Sequence, residues 1–307
     1  MSCVDAGGWL SEPAPAKINL YLHVLGRRDD GYHRLDSLVV FAGVQDTISA
    51  MADDTLRLDV SGPFAAALDG TGESNLIVQA VRGLAEIAGR AAGVHLRLVK
   101  RLPVAAGIGG GSADAAATLR LLCRLWKVVP EQGSLEALAL RLGADVPVCL
   151  DGRAIFVGGI GEELFPSPRL PSVWLVLVNP GVPLGTGRVF SARTGPNSTA
   201  GRFEELPADA ATLAALLSER SNDLEAPALG LEPVVSEALD VLAALPGCYL
   251  ARMSGSGSTC FGLFADQKTA YDGAAAIAAA KPRWWSVAAP LVQSRAQAEA
   301  AALNAET

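Results

Sequence analysis

Hydrophobic and polar positions alternate along residues 17–24. Ile18, Leu20, Leu22 and Val24 point one way, and Lys17, Asn19, Tyr21 and His23 the other. A period of two predicts a strand with one buried face. Leu38–Phe41 and Leu56–Val60 read as a second and a third strand, and Val94, Leu96 and Leu98 alternate into a fourth. Ile77, Ala80, Val81, Leu84 and Ala88 keep helical spacing, which predicts a helix over 74–89 capped by Ser74 and stopped by Gly89. Helices follow over 115–126 and 135–142, then strands over 154–157 and 173–178. Thr186–Phe190 opens a helix or loop, and 192–209 is a polar loop. Helical patterns recur at 210–219, 234–245 and 267–280, with strands at 249–253, 259–264 and 285–289. Residues 1–14 read as a loose extension and the Ala-rich tail from 294 as a terminal helix. This mixture predicts an α+β protein. Pro166, Pro168 and Pro171 punctuate a break that predicts two domains, 1–170 and 171–307.

One stretch stands out from the periodic segments. Pro103, Val104, Ala105, Ala106, Gly107, Ile108, Gly109, Gly110, Gly111, Ser112 and Ala113 join the fourth strand to the helix behind it. Glycine lets another group approach the backbone closely. Ser112 is a suitable helix cap. A bare glycine loop at a helix N-terminus presents free N–H groups and the positive end of a dipole, which is a phosphate cradle. It is neither of the commoner cradles. No Lys stands between Arg101 and Arg120, as a Walker loop requires, and Ser112 occupies the place of a dinucleotide-fold glycine.

Composition narrows the chemistry. The 307 residues are 50% hydrophobic, enough for a substantial core, and carry a net charge of −7. An acidic chain argues against a broad nucleic-acid footprint. No apolar run is long enough to cross a membrane, and Met1–Glu12 lacks the features of a secretory signal, so a cytoplasmic protein is expected. Cys3, Cys123, Cys149, Cys248 and Cys260 form no C-x-x-C pair and read as free thiols in a reducing compartment. With three histidines a His/Cys zinc site is not expected, and any metal would be magnesium held largely by substrate phosphates.

Several polar residues are candidates for the reaction itself. The Lys17–His23 face could line a cleft or simply meet solvent. Tyr32 and His33, beside the Asp30-Gly31 turn, could stack on a planar ring or form a surface pair. Asp145 is isolated among apolar residues, between a helix end and a Pro-restricted strand. It could be a base near the phosphate loop or a turn residue. Ser254-Gly255-Ser256-Gly257-Ser258 could contact an anion or be a flexible hairpin.

Three motifs now stand in order: Pro15-Ala16-Lys17-Ile18-Asn19-Leu20, the glycine loop 107–114, and Arg252-Met253-Ser254-Gly255-Ser256-Gly257-Ser258. Together they resemble the GHMP kinase superfamily of small-molecule kinases: Gly107–Asp114 is similar to its Gly-Leu-Gly-Ser-Ser-Ala motif, with Ile108 for Leu and Gly110-Gly111-Ser112 in the serine region. Gly31-Tyr32-His33, Gly143-Ala144-Asp145-Val146-Pro147 and Asn222-Asp223-Leu224-Glu225 bring the resemblance closest to the branch that phosphorylates the 2-hydroxyl of 4-diphosphocytidyl-2-C-methyl-D-erythritol in non-mevalonate isoprenoid synthesis. Ala105 and Ala106 depart from the pattern, standing where glycines are common, and so do Asp36 and Ser37, where a threonine is frequent.

The resemblance implies a two-domain GHMP kinase fold: a ribosomal S5-like N-terminal domain, a ferredoxin-like C-terminal domain, and an active site between them. ATP, with Mg2+, would sit on residues 103–113. Lys17 and Asp145 would be the catalytic pair, Asp145 accepting the hydroxyl proton and Lys17 stabilising the transferring oxygens. Tyr32 and Phe190 would sandwich a cytosine, Asn19 and His33 would hydrogen-bond to it, and Thr186 would lie near the same pocket. The partner would be a small cytidyl diphosphate, with no nucleic acid, membrane or obligatory protein. A homoserine or mevalonate type of kinase and a non-catalytic binding module remain the alternatives.

Overall fold

The computed structural model describes residues 8–131 and 133–305. The chain opens with two long antiparallel strands, β1 (Leu10–Arg27) and β2 (His33–Met51). The extension expected over 1–14 therefore ends earlier: residues 10–14 are already strand, paired with Thr47–Ala50 and Asp46, and residues 1–7 lie outside the described residues. The register slips between Asn19 and Tyr21, so Leu20 has no partner on β2 and forms a bulge. A bulge turns the faces of a strand. Ile18, Leu20 and Tyr21 consequently share one core, while Leu22 and Val24 join another.

β3 (Leu56–Ser61) lies parallel to β4 (Val94–Val99), which pairs with the end of β2. Between them runs α1 (Leu76–Ile87), capped by the Asn75 side chain, which accepts from Ile77 N at 2.9 Å. Ser74, the expected cap, ends a 3-10 turn instead. Past the glycine loop comes α2 (Gly110–Trp126), whose Ala115, Ala116, Ala117, Leu119, Leu121 and Leu122 are all buried. Small side chains let this helix lie between α1 and β1 within one core. α3 (Ser134–Leu142) and α4 (Val146–Asp151) follow, then the hairpin of β5 (Ile155–Gly158) and β6 (Glu163–Pro166), with β5 paired to β2. The segment after Asp145 is thus a helix rather than a strand. Pro147 sits in its first turn, where a missing N–H costs nothing.

The C-terminal half contributes β7 (Trp174–Asn179), α5 (Thr186–Ala192), α6 (Ala210–Ser218), α7 (Glu225–Leu231), α8 (Val234–Ala243), β8 (Leu250–Met253), β9 (Cys260–Phe264), α9 (Gln267–Ala280), β10 (Trp285–Val292) and α10 (Arg295–Ala305). The sheet order is β3-β4-β2-β10-β7-β9-β8. β10 pairs with β7 along most of its length and reaches β2 only at Leu291 and Val292. One hydrophobic cluster crosses this joint, uniting Ile18, Leu38 and Val40 with Leu175, Leu177, Phe261, Leu263 and Leu291. No helix among the described residues is long and apolar enough to cross a membrane.

Candidate active site

A cleft of about 640 Å³ is bounded by β1, β2, the glycine loop, the start of α4 and α5. The loop reaches it through two backbone devices. Gly109 adopts φ +60°, turning the chain into α2 without any side-chain cap. Ser112, expected as the cap, is the third residue of the helix. A first turn with no capping side chain leaves its N–H groups for a bound anion. Gly107, at φ +74°, packs against the Ser254–Ser258 turn so closely that a Cβ there would stand 2.4 Å from Ser254 O. That turn is therefore no flexible hairpin. Ser254 is buried, its Oγ donates to Gly107 O and accepts from Asn19 N, both at 3.1 Å, and Thr259 N donates to Ala106 O.

β1 supplies the adjoining wall. Lys17 N donates to Ile108 O at 2.9 Å, tying strand to loop. Its Nζ donates to Asp145 Oδ1 at 2.8 Å, and both residues line the cleft. The Lys17 side chain is almost fully buried while that of Asp145 is 46% exposed, so the carboxylate faces the open space. Asn19 is also on the wall. Its Nδ2 donates to Ser37 Oγ, which itself donates to Tyr21 O; this orients the amide and leaves Asn19 Oδ1 as a buried acceptor with no partner. Tyr21 and His23, on the same polar face in sequence, are not in the cleft. The bulge at Leu20 carries Tyr21 into the interior, where it donates to Asp36 at 2.9 Å; burial and Asp36 raise its pKa strongly. His23 is held by Thr199 O and Ser221 N.

The far end of the cleft carries rings. His33 stacks on Phe190 with centroids 4.8 Å apart and planes 19° from parallel. Burial, then Arg27 and Arg193, lowers the His33 pKa, so at neutral pH the imidazole offers one donor and one acceptor. Tyr32 is 59% exposed at the rim. Thr186 lines the cleft and shares a hydrogen bond with Ser256 Oγ at 3.0 Å. Ala105, Ala106, Gly107, Gly109, Gly110, Gly111 and Ser112 also line it; Pro103, Val104, Ile108 and Ala113 of the expected nucleotide segment do not. Sequence reasoning missed Leu184, which no pattern along the chain marks, and noted Ser37 only as a departure from the family pattern; the place of each depends on how the sheets meet.

Beneath the loop lies a buried triad. Lys100 Nζ donates to Asp46 Oδ2 at 2.6 Å and to Asp114 Oδ2 at 2.7 Å. Asp46 Oδ1 also receives Arg101 N and Leu102 N, so the two carboxylates hold the start of the loop and the helix at its end. Burial pushes the Asp114 carboxyl up to about 7 despite the nearby ammonium, and its Oδ1 has no hydrogen-bond partner. Burial alone would lower the Lys100 pKa, but the two carboxylates outweigh it and the pKa is raised.

The GHMP kinases N terminal domain matches residues 75–153, and the GHMP kinases C terminal domain matches residues 203–283. The chain belongs to the GHMP kinase family. This GHMP kinase is 54% identical over 290 residues to the 4-diphosphocytidyl-2-C-methyl-D-erythritol kinase of Rhodospirillum rubrum, covering 94% of this chain and 95% of that one. It is 55% identical over 280 residues to the enzyme of the same name from Paramagnetospirillum magneticum, covering 91% and 97%. A crystal structure of 4-(cytidine 5'-diphospho)-2C-methyl-D-erythritol kinase superposes with a TM-score of 0.73 at 37% identity, over 92% of this chain and 98% of that one. A homoserine kinase from Cytophaga hutchinsonii gives 0.72 at 17% identity, over 94% and 96%, which shows the shared fold alone.

Proposed function

We propose that this chain transfers the γ-phosphoryl group of ATP to the 2-hydroxyl of 4-diphosphocytidyl-2-C-methyl-D-erythritol. The observation that carries the chemistry is the Lys17–Asp145 pair beside an uncapped helix N-terminus, all lining one cleft. Phosphoryl transfer requires positioning and charge stabilisation more than covalent work by the protein. The free N–H groups after Gly109 receive the phosphates. A magnesium ion bound with the triphosphate would neutralise phosphate charge, and the Ser112 hydroxyl, which lines the cleft, would help to hold it. Asp145 accepts the proton of the acceptor hydroxyl as that oxygen bonds to the γ-phosphorus and the bond to the β,γ-bridging oxygen breaks, releasing ADP. Lys17 Nζ, beside both, stabilises the charge on the transferring oxygens.

The ring end of the cleft suits a cytosine. Phe190 provides a stacking face, and Tyr32, exposed at the rim, supplies a second. Asn19 Oδ1, a buried acceptor without a donor, matches the exocyclic amine of cytosine. Neutral His33 can donate to the ring's carbonyl or accept from its amine. We place the reaction in the cytoplasm, where ATP is available, with a small-molecule alcohol as its acceptor.

The test is ADP release from Mg-ATP with the cytidyl substrate, run beside homoserine and mevalonate. Turnover with the cytidyl alcohol alone is expected. Turnover with either other alcohol would leave the phosphate site standing and overturn the ring pocket.

A further inference from the structure

The cleft is built from two halves that must stay in register, a nucleotide wall on the glycine loop and an acceptor wall on β1. The two meet directly where Lys17 N donates to Ile108 O, and Ser254 Oγ braces the same joint from the side, donating to Gly107 O and accepting from Asn19 N. Its position is set from behind. Asn222 is buried, and its Nδ2 donates to Met253 O and to Gly255 O, each at 2.8 Å, the carbonyls on either side of Ser254. Its Oδ1 accepts from Leu224 N at 3.0 Å, so the amide has a partner for both donor hydrogens and for its oxygen. Asn222 is itself fixed to the acceptor strand. It forms a parallel bridge with Leu22; Leu22 N donates to Ser221 O at 3.0 Å, and Asp223 N donates to Leu22 O at 2.8 Å. Arg252 completes the joint: its guanidinium donates to Leu20 O at the β1 bulge at 2.7 Å, and also to Leu217 O and Arg220 O.

We infer that Asn222 is a positioning residue for phosphoryl transfer, holding the 253–255 turn so that Ser254 keeps the nucleotide wall and the acceptor wall in register. This rests on the proposed reaction, in which Gly107 belongs to the nucleotide cradle while Lys17 and Asn19 belong to the acceptor side. Asn222 touches neither substrate. Its removal releases the turn, lengthens the Ser254 contacts and lets the two walls drift. Rate enhancement by positioning is sensitive to shifts of about 1 Å, which can cost on the order of 10²-fold. The loss therefore falls on the transfer step rather than on the binding of either substrate.

The experiment compares Asn222→Ala, Ser254→Ala and the double variant with wild type, using whichever alcohol the wild type phosphorylates. Ser254→Ala loses one hydroxyl and keeps the chain foldable if Asn222→Ala does not. At a temperature where circular dichroism shows folded protein, kcat is expected to fall at least tenfold in each single variant. Both KM values stay within about threefold, and the double variant is no worse than the more damaged single one, because the two residues act through one turn. A folded Ser254→Ala enzyme with wild-type kcat, a loss confined to one KM, or multiplicative losses would overturn the inference. Amide hydrogen exchange supplies a readout that needs no turnover. Peptides covering 16–21 and 252–260, whose amides donate across this joint and within its turn, should lose protection together in each variant, and unchanged protection in either would also overturn it. Absence of wild-type turnover with any alcohol would count against the proposed reaction, while the exchange data would still decide the role of Asn222.

Discussion

Replacing Asp114 with Asn changes the charge beneath the glycine loop without changing the shape of the side chain. In the native protein two carboxylates share the Lys100 ammonium, so the triad carries one negative charge in excess when both are ionised. Burial lifts the Asp114 carboxyl from its usual 3.8 to about 7. Each pH unit of such a shift corresponds to about 1.4 kcal/mol, so ionising this group in the fold costs on the order of 4 kcal/mol. An acid raised in the native state keeps its proton where the unfolded chain has lost it. The stability it contributes is therefore present at low pH and is lost as pH rises from about 4 to about 7. The Asn variant is neutral throughout and leaves Lys100 with Asp46 alone, a balanced pair. Urea unfolding of both proteins at pH 5, 6, 7 and 8 gives the difference in stability at each pH. Wild type should lose about 1 kcal/mol per unit against the variant between pH 5 and 7, with the loss tapering off near pH 8. A difference that stays constant across the series would mean that Asp114 is ionised throughout and would refute the reasoning.

Asp145→Asn keeps the geometry beside Lys17 but cannot take a proton; kcat should fall by on the order of 10²–10³ with the KM for ATP little changed, and near-normal turnover would exclude Asp145 as the base. Ala105 sits at φ +53°, a region that costs a residue with a Cβ about 1–2 kcal/mol. Ala105→Gly should raise stability by about 1 kcal/mol or somewhat less once the freer unfolded chain is counted, and a lower urea midpoint would contradict this. The Cys149 thiol is buried and burial pushes its pKa up to about 12, so it should react with a thiol reagent only as fast as the protein opens. Modification of Cys149 within seconds of mixing would show otherwise.

The long alternating strand, the glycine loop and the isolated Asp145 were all visible in the chain, because each leaves a local pattern. Lys17 and Asn19 follow from the alternation as far as the bulge at Leu20, and the alternation misleads beyond it. A one-residue slip carries Tyr21 to the core and Leu22 to the cleft, and period-two reasoning contains no term for a bulge. The helix start was misplaced for a related reason. Serine is a frequent cap, yet here Gly109 turns the backbone and the absence of a cap is what frees the N–H groups. Pro147 restricts its neighbour in a strand and equally begins a helix; the packing of α4 beside α2 decides which. Asn222 and Ser254 were noticed only as parts of motifs. Their shared work depends on contacts 31 to 235 positions away in the chain, which no window along the sequence samples.

The order in which the sheet is built differs from the order in which it is synthesised. β10, the last strand in chain order among the described residues, occupies a place inside the sheet, between β2 and β7. Until it emerges, β2 and β7 have no strand to join them, and the growing protein consists of two incomplete sheets. Pairings between distant parts of a chain form slowly and expose apolar edges while they wait. The Lys17–Asp145 pair can assemble in the first half of translation, but the Ser254 brace and the strand that closes the joint arrive only at its end. A chain cut before residue 285 would lack the strand that joins β2 to β7 and would carry unpaired sheet edges, the kind of surface that invites aggregation.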